Sequence, residues 1–197
     1  MKTLIAILFA RFIRKKNQNW INNPIEHQQK TFVKLISKSK NTEFGNDHHF
    51  SEINSYETFK KNVPVRDYEG LKKYIDRVVS GEKNILWPGK PLYFAKTSGT
   101  TSGAKYIPIT KSSIKTHVRS ARDALLNYFL KSKNYKSING KHMFLQGSPE
   151  LTKKNGVFIG RLSGISAHYI PRLFLQNRMP SWKTNTIEDW EEKVDKI

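Results

Sequence analysis

Apolar residues recur with helical spacing from the start of the chain. The pattern i, i+3, i+4, i+7, i+8 is occupied by Ile5, Leu8, Phe9, Phe12 and Ile13. The unbroken apolar run is much shorter than the roughly 20 residues that a membrane span needs. Basic residues also stand where a signal peptide would be cleaved. We therefore predict an amphipathic helix that packs on the body of the protein. Attachment of residues 4–13 to a membrane surface is the less favoured interpretation.

Three further helices are predicted before residue 91, each with recognisable ends. Their predicted spans run from Pro24 towards Lys40, from Ser55 to just before Pro64, and from Asp67 to Gly81. Asn23, Ser55 and Asp67 are N-cap types, and Gly81 is a typical helix stop. These signals divide the first half into an N-terminal helix and linker, residues 1–23, and a helical region, residues 24–91.

The pattern changes beyond residue 91, where short β-type runs appear. Strands are predicted at Leu92–Ala95, Tyr106–Ile109, Met143–Leu145 and Val157–Ile159. A long helix is predicted from Thr110 to about Lys131, and a last one from Thr186 to Ile197 with Trp190 and Ile197 on its buried face. Residues 92–197 thus form an α/β region, and the whole chain is predicted to be of the α/β class. We treat residues 1–197 as one incomplete domain, because the last helix ends without a cap or a glycine.

Composition restricts the chemistry that the chain can perform. Of 197 residues, 37% are hydrophobic, which is enough for a folded core, and none is cysteine. The missing cysteines exclude a disulfide scaffold, a thiolate metal site and a cysteine nucleophile, and they fit a reducing compartment. We therefore expect a cytoplasmic protein. His48 and His49 are adjacent in a polar loop without further ligand types, so no metal site is predicted.

A net charge of +19 would be compatible with nucleic-acid binding, but the distribution of the basic residues along the chain does not support that function. The basic surplus is concentrated in residues 1–40 and 101–150, without a single basic arm or stripe. No recognition motif accompanies it, so we do not predict nucleic-acid binding.

One segment consists almost entirely of glycine, hydroxyl-bearing and lysine residues. It consists of Thr97, Ser98, Gly99, Thr100, Thr101, Ser102, Gly103, Ala104 and Lys105. Glycines allow a tight turn and a close approach to an anion, hydroxyl and amide groups donate hydrogen bonds, and lysine supplies positive charge. The spacing differs from that of a Walker A loop, and the flanks indicate strand–loop–strand. From the residues alone, either a phosphate-binding loop or a flexible hairpin is possible.

The segment resembles the phosphate-binding loop of adenylate-forming enzymes. The surrounding series narrows the resemblance to the bacterial branch of the auxin-responsive acyl-acid amido synthetase family. That series comprises Phe44-Gly45, Phe50, Tyr56, Phe59, Val63-Pro64-Val65, Tyr68-Glu69, Tyr74-Ile75, Gly81-Glu82, Leu86-Trp87-Pro88-Gly89, Gly147-Ser148 and Asp189 to Lys193. The resemblance covers nearly the whole chain from about Gln28 onward.

This resemblance implies a reaction and a set of roles. A carboxylic acid and ATP would give an acyl-adenylate, from which an amine or amino acid takes the acyl group. Residues 97–103 would hold the ATP phosphates, with Lys105 as the catalytic electrostatic clamp. Arg119 and Arg122, on the helix that follows, are possible partners of the substrate carboxylate, although a solvated helix face explains them more simply. Mg²⁺ is implied by the family, and no ligands for it are evident in this chain.

Other segments that the resemblance implies are not found in these 197 residues. The family carries a Tyr-x-x-Ser-Glu-type segment, a ribose-binding Asp and a mobile C-terminal domain. We therefore expect an N-terminal fragment that acts with the remaining portion of the enzyme and is inactive alone. The alternative is a truncated, non-catalytic module that binds nucleotides, polyanions or a partner protein.

Overall fold

The computed structural model describes residues 2–97 and 103–197, which form two compact units. Unit 1 comprises Met1–Asn22, Ser112–Leu151 and Gly160–Ile197, and unit 2 comprises Asn23–Lys111 and Thr152–Ile159. Helices and strands are mixed along the chain, which confirms the predicted α/β class. No described helix combines the length and apolar content needed to cross a membrane.

The described residues of unit 2 form four α-helices and a four-stranded sheet. The helices are α2 (Pro24–Ser39), α3 (Glu43–Asp47), α4 (Tyr56–Asn62) and α5 (Tyr68–Ser80). The strands are β1 (Tyr93–Lys96), β2 (Tyr106–Ile109), β4 (Thr152–Lys154) and β5 (Val157–Gly160), in the order β2-β1-β5-β4. β1 pairs antiparallel with β2, and β4 antiparallel with β5. Pro108 stands in β2, an edge strand, where its missing N–H costs no ladder bond.

Of the N-caps predicted in unit 2, Ser55 and Asp67 are confirmed, whereas the Asn23 side chain makes no capping hydrogen bond at the start of α2. Asp67 accepts a hydrogen bond from the Gly70 N–H at 2.8 Å, and Ser55 accepts one from Thr58 at 3.1 Å. Gly81 ends α5 at a φ of 103°, a conformation that favours glycine. The local signals therefore place both helices correctly.

The core of unit 2 joins α5 to the sheet. Tyr74 and Val78 from α5 pack with Ile85, and with Phe94 and Val157 from the central strands. A neighbouring cluster of Ile36, Phe50 and Ile53 lies between α2 and the segment after α3. These contacts hold β1 and β2 in place.

Unit 1 contains the N-terminal helix α1 (Lys2–Asn22) and the long helix α6 (Lys111–Ser132). It also contains β3 (His142–Met143), α7 (Leu162–Ala167), α8 (Arg172–Leu175), β6 (Arg178–Met179), α9 (Trp182–Thr186) and α10 (Trp190–Asp195). β3 and β6 pair in parallel. β3 is shorter than the strand predicted at Met143–Leu145 and begins one residue earlier. The remaining regular segments are the 3₁₀ turns Phe50–Glu52 in unit 2 and Tyr135–Asn139 in unit 1.

The first helix is confirmed, but its predicted buried face is wrong. Ile13 is buried as predicted, together with Ala10, against Leu126 and Phe129 of α6. Ile5, Leu8 and Phe12, however, are 56–64% exposed. The small side chain of Ala10 allows α1 to approach α6 closely, which periodicity of large apolar residues does not reveal.

The predicted helix from Thr186 to Ile197 is confirmed only over Trp190–Asp195, and its predicted start and buried face are wrong. Asp189 has an extended backbone and accepts a hydrogen bond from the Glu192 N–H at 2.8 Å, so α10 starts only at Trp190. Trp190 is 56% exposed, and Lys193 is the buried residue of this helix. The apolar face expected from Trp190 to Ile197 is therefore not the packed face.

Candidate functional site

The hairpin formed by β1 and β2 carries the loop singled out in the sequence. Lys96 pairs with Tyr106, and beyond that pair the Thr97 N–H donates to the Lys105 carbonyl at 3.0 Å. The Lys105 N–H in turn donates to the Thr97 hydroxyl at 3.3 Å. The two ends of the motif are thus brought together at the mouth of the hairpin.

The middle of the predicted phosphate loop lies outside the described residues. This applies to Ser98, Gly99, Thr100, Thr101 and Ser102. Gly103 has a φ of 80°, and among the described residues no atom would lie within 4 Å of a Cβ placed there. The backbone at Gly103 therefore adopts the left-handed conformation that favours glycine and permits a tight turn.

Tyr68 positions the lysine of the motif. The Lys105 ammonium lies 5.2 Å from the centre of the Tyr68 ring, a cation–π contact. The Tyr68 hydroxyl accepts a hydrogen bond from the Tyr106 N–H at 2.9 Å. In the described part of the chain, Lys105 has no carboxylate partner, so its positive charge remains available to an anion.

Sequence reasoning missed Tyr68 as a site residue. Tyr68 belongs to the series that carries the family resemblance, but nothing in the sequence links it to a lysine 37 positions later. Tyr68 is the first residue of α5, whose start is fixed by the Asp67 cap. The capped end of α5 therefore places the aromatic ring at the base of the hairpin.

Glu82, one of the residues that carry the family resemblance, makes a hydrogen-bonded ion pair inside unit 2. The Arg77 guanidinium donates to Glu43 at 2.9 Å and to Glu82 at 2.8 and 2.9 Å. These hydrogen bonds raise the pKa of Arg77 and lower that of the Glu82 carboxyl. Glu82, together with Gly81 before it, thus belongs to the scaffold of unit 2.

The two arginines proposed for the substrate carboxylate lie on α6 in unit 1. Arg122 donates to the neighbouring Asp123 at 2.6 and 2.8 Å and lies 5.5 Å from the Phe9 ring centre. Arg119 is exposed, and no partner for its side chain is found within the described ranges. Arg122 is therefore engaged in structural contacts, whereas Arg119 is accessible.

The histidine pair does not form a shared ligand site. His48 is buried, with one ring nitrogen 2.8 Å from the Phe44 carbonyl and the other 2.7 Å from an Arg66 nitrogen. His49 is at an exposed turn. Over residues 2–97 and 103–197, no group of three or more His, Asp or Glu residues converges as a metal site would require.

The fold resembles that of acyl acid amido synthetases. A solved structure described as "GH3.15 acyl acid amido synthetase" matches with a TM-score of 0.71 over 91% of this chain and 32% of that chain. The sequence identity is 22%, so this likeness defines the fold alone. The model of the "GH3 family N-terminal domain" matches residues 14–195, and the chain belongs to the GH3 family.

Curated relatives support the same assignment. The chain is 32% identical over 93 residues to indole-3-acetic acid-amido synthetase GH3.15 of Arabidopsis thaliana, covering 46% of this chain and 16% of that protein. It is 24% identical over 136 residues to jasmonoyl–L-amino acid synthetase JAR4 of Nicotiana attenuata, covering 68% and 23%. The chain thus spans well under two thirds of the length of the proteins it matches.

Proposed function

We propose that this chain is the N-terminal portion of an ATP-dependent acyl-acid amido synthetase. The supporting observation is the hairpin at Thr97 and Lys105, within a chain whose family members are named as synthetases and ligases. In the proposed reaction, a carboxylate oxygen attacks the α-phosphorus of ATP and pyrophosphate leaves. An amine nitrogen then attacks the activated acyl carbon, and AMP leaves.

The part of this chain in the reaction is to hold the phosphates. Residues 97–103 would donate backbone and hydroxyl hydrogen bonds to phosphate oxygens, and Lys105 would offset negative charge on the leaving pyrophosphate. The Tyr68 ring would orient the Lys105 ammonium without neutralising it, because a cation–π contact carries no negative counter-charge. Such a lysine keeps its full electrostatic effect on a bound anion.

The finer features of the proposal rest on family resemblance. We place the protein in the bacterial branch of the family and in the cytoplasm. Arg119 is proposed to contact the acyl carboxylate, and Mg²⁺ is proposed to accompany ATP. The ligands for Mg²⁺ and the remaining substrate contacts would come from the C-terminal portion of the enzyme. The chain alone is therefore expected not to catalyse carboxylate-dependent ATP–pyrophosphate exchange.

The high positive charge favours one alternative, a non-catalytic module that binds polyanions. The two proposals differ in selectivity and in salt dependence. A specific phosphate loop binds ATP with short hydrogen bonds, whereas a diffuse basic surface binds any polyanion and loses affinity steeply as salt rises.

Calorimetric titration with ATP and with heparin, each at low and at physiological ionic strength, separates the two. We expect ATP binding that persists at physiological salt, with heparin binding that does not. Equal and steeply salt-dependent binding of both would overturn the phosphate-loop proposal in favour of the polyanion module.

A further inference from the structure

The outward face of α1 in unit 1 carries an exposed apolar stripe. The stripe consists of Leu4, Ile5, Leu8 and Phe12, whose side chains are 56–64% exposed. Large apolar side chains grouped on one face of a helix indicate a contact surface, because their removal from water is favourable. From the sequence, attachment of residues 4–13 to a membrane was less favoured, because this face was expected to pack on the protein. Its exposure in the structure removes that objection.

Contacts on the opposite side of α1 hold the helix in this orientation. Ala10 and Ile13 are buried in the contact with α6. The Asn17 side chain also donates to Asp123 Oδ2 of α6 at 3.1 Å. With 3.6 residues per turn, positions 10, 13 and 17 share one side of the helix, and positions 4, 8 and 12 share the other. The apolar stripe therefore faces away from the core of unit 1.

Basic side chains border the apolar stripe. Arg11, Lys15 and Lys16 are exposed and stand three or four residues after a residue of the stripe, so they lie on the same side of the helix. Arg14 is exposed as well, and α1 contains no acidic residue. Within the described ranges, none of these four cations forms an ion pair. Their positive charge is therefore available to an anionic surface.

Charge and family membership distinguish between the possible partners of this face. A second copy of the chain is disfavoured, because each copy carries a net charge of +19 and the two would repel each other. The match to the GH3 domain begins only at residue 14, so the stripe lies outside the region that the family model describes. This argues against the C-terminal portion common to family members as its partner. An anionic bilayer, by contrast, accepts apolar side chains at its interface and attracts the bordering cations.

We propose that α1 binds in the interface of an anionic phospholipid bilayer. Leu8 and Phe12 enter the boundary between headgroups and acyl chains. Arg11, Lys15 and Lys16 reach lipid phosphates, with their aliphatic stems along the stripe. The helix lies on the bilayer and does not cross it, because its other side remains packed on α6. This role is independent of the hairpin in unit 2 and goes beyond the proposed synthetase activity.

Co-sedimentation of the full 197-residue chain with lipid vesicles at physiological salt tests the inference. Vesicles of phosphatidylcholine with about one third phosphatidylglycerol are compared with vesicles of phosphatidylcholine alone. We expect at least about tenfold stronger binding to the anionic vesicles, since each cation near such a surface contributes about fivefold. No binding to the anionic vesicles would overturn the proposal. Because no nucleotide is present, that failure would leave the proposed adenylation function untouched.

Two variants separate the apolar and the basic contributions. Leu8→Ser/Phe12→Ser removes apolar contact, and Arg11→Gln/Lys15→Gln/Lys16→Gln removes three positive charges. All five side chains are exposed, so both variants are expected to fold, which circular dichroism checks. We expect each variant to bind anionic vesicles at least about tenfold more weakly than the wild type. Wild-type binding by either folded variant would contradict the proposal.

Matched controls remove equivalent groups from unit 2. Lys34→Gln/Lys61→Gln/Lys154→Gln neutralises three exposed lysines, and Ile25→Ser/Val65→Ser removes two exposed apolar side chains. We expect both controls to bind anionic vesicles as the wild type does. Equal losses in the controls and the α1 variants would overturn the proposal in favour of diffuse attraction. Self-association of the wild type in analytical ultracentrifugation, abolished in the apolar α1 variant and without vesicle binding, would instead assign this face to a second copy.

Discussion

Tyr74 is the buried group whose ionisation is expected to limit the stability of unit 2 at high pH. It is 2% exposed, and its hydroxyl donates to Asp47 Oδ2 at 2.5 Å. Burial raises the pKa of Tyr74 first, and the hydrogen bond to Asp47 adds to it, bringing the value from 10.0 to about 12. Charging this phenol in the folded state would leave a buried phenolate against a carboxylate.

The difference between the folded and the unfolded pKa of Tyr74 determines how the free energy of unfolding changes with pH. Because the folded pKa is raised, the stabilisation is fully present below the unfolded pKa of 10.0 and is lost as pH rises through about 12. A difference of two units corresponds to about 3 kcal/mol at most, using the standard conversion of roughly 1.4 kcal/mol per unit. This is a large share of the stability of a typical small domain.

Urea unfolding of the wild type and of Tyr74→Phe at a series of pH values between 8 and about 12 measures this contribution. We expect the difference in free energy of unfolding between the two proteins to change by up to about 3 kcal/mol, with the wild type losing more. Tyr56→Phe is the matched control, because Tyr56 is 60% exposed and its ring contacts with Phe32 and Phe59 do not need the hydroxyl. Parallel loss of stability in wild type and Tyr74→Phe over this range would refute the reasoning.

Substitutions at three further residues test other parts of the structure. Arg178 is 8% exposed, and burial lowers its pKa. Its guanidinium lies 5.7 Å from the centre of the Trp182 ring, but its three nitrogens have no hydrogen-bond partner within the described ranges. Arg178→Met should therefore raise the free energy of urea unfolding by about 1–3 kcal/mol, and a decrease would contradict this view. Tyr68→Phe should cost about 1 kcal/mol in the same measurement, because the Tyr106 N–H loses its acceptor, yet it should keep ATP affinity, since the ring still faces Lys105. Loss of ATP affinity in a folded Tyr68→Phe would show that the hydroxyl, not the ring, matters. Asp189→Ala should cost about 1 kcal/mol through the lost cap of α10, whereas Asp189→Asn should restore most of it. Unchanged stability in Asp189→Ala would contradict the assigned cap.

Local signals in the sequence were sufficient to predict much of unit 2. Asp67, Ser55 and Gly81 mark helix ends through contacts with residues a few positions away, so their effect is readable from the sequence. The strands β1 and β2 were likewise evident from short β-type runs on both sides of the polar loop.

The packing partners could not be predicted in the same way. Periodicity shows that α1 is amphipathic, but the choice between its faces depends on the shape of α6, more than one hundred residues later. In α10, hydrophobicity favoured Trp190 for the core, yet Lys193 is buried instead. Residues that meet through tertiary contact, such as Tyr68 with Lys105, leave no local signal.

The functional prediction depends more on the family resemblance than on the residue pattern alone. The segment from Thr97 to Lys105 permits either a flexible hairpin or a phosphate loop, and membership of the GH3 family favours the second. In the structure, hydrogen bonding between Thr97 and Lys105 closes the base of the hairpin, and the Tyr68 ring contacts the Lys105 ammonium. Together they make Lys105 the residue on which the proposal depends.

Binding of ATP to the wild type, to Lys105→Ala and to Lys83→Ala, measured by calorimetry at physiological salt, tests this claim most directly. Lys83 is an exposed lysine of the same unit and serves as the charge-matched control. We predict at least about a tenfold loss of ATP affinity for Lys105→Ala and unchanged affinity for Lys83→Ala. Equal affinities of all three folded proteins, or no ATP binding by the wild type, would contradict the account.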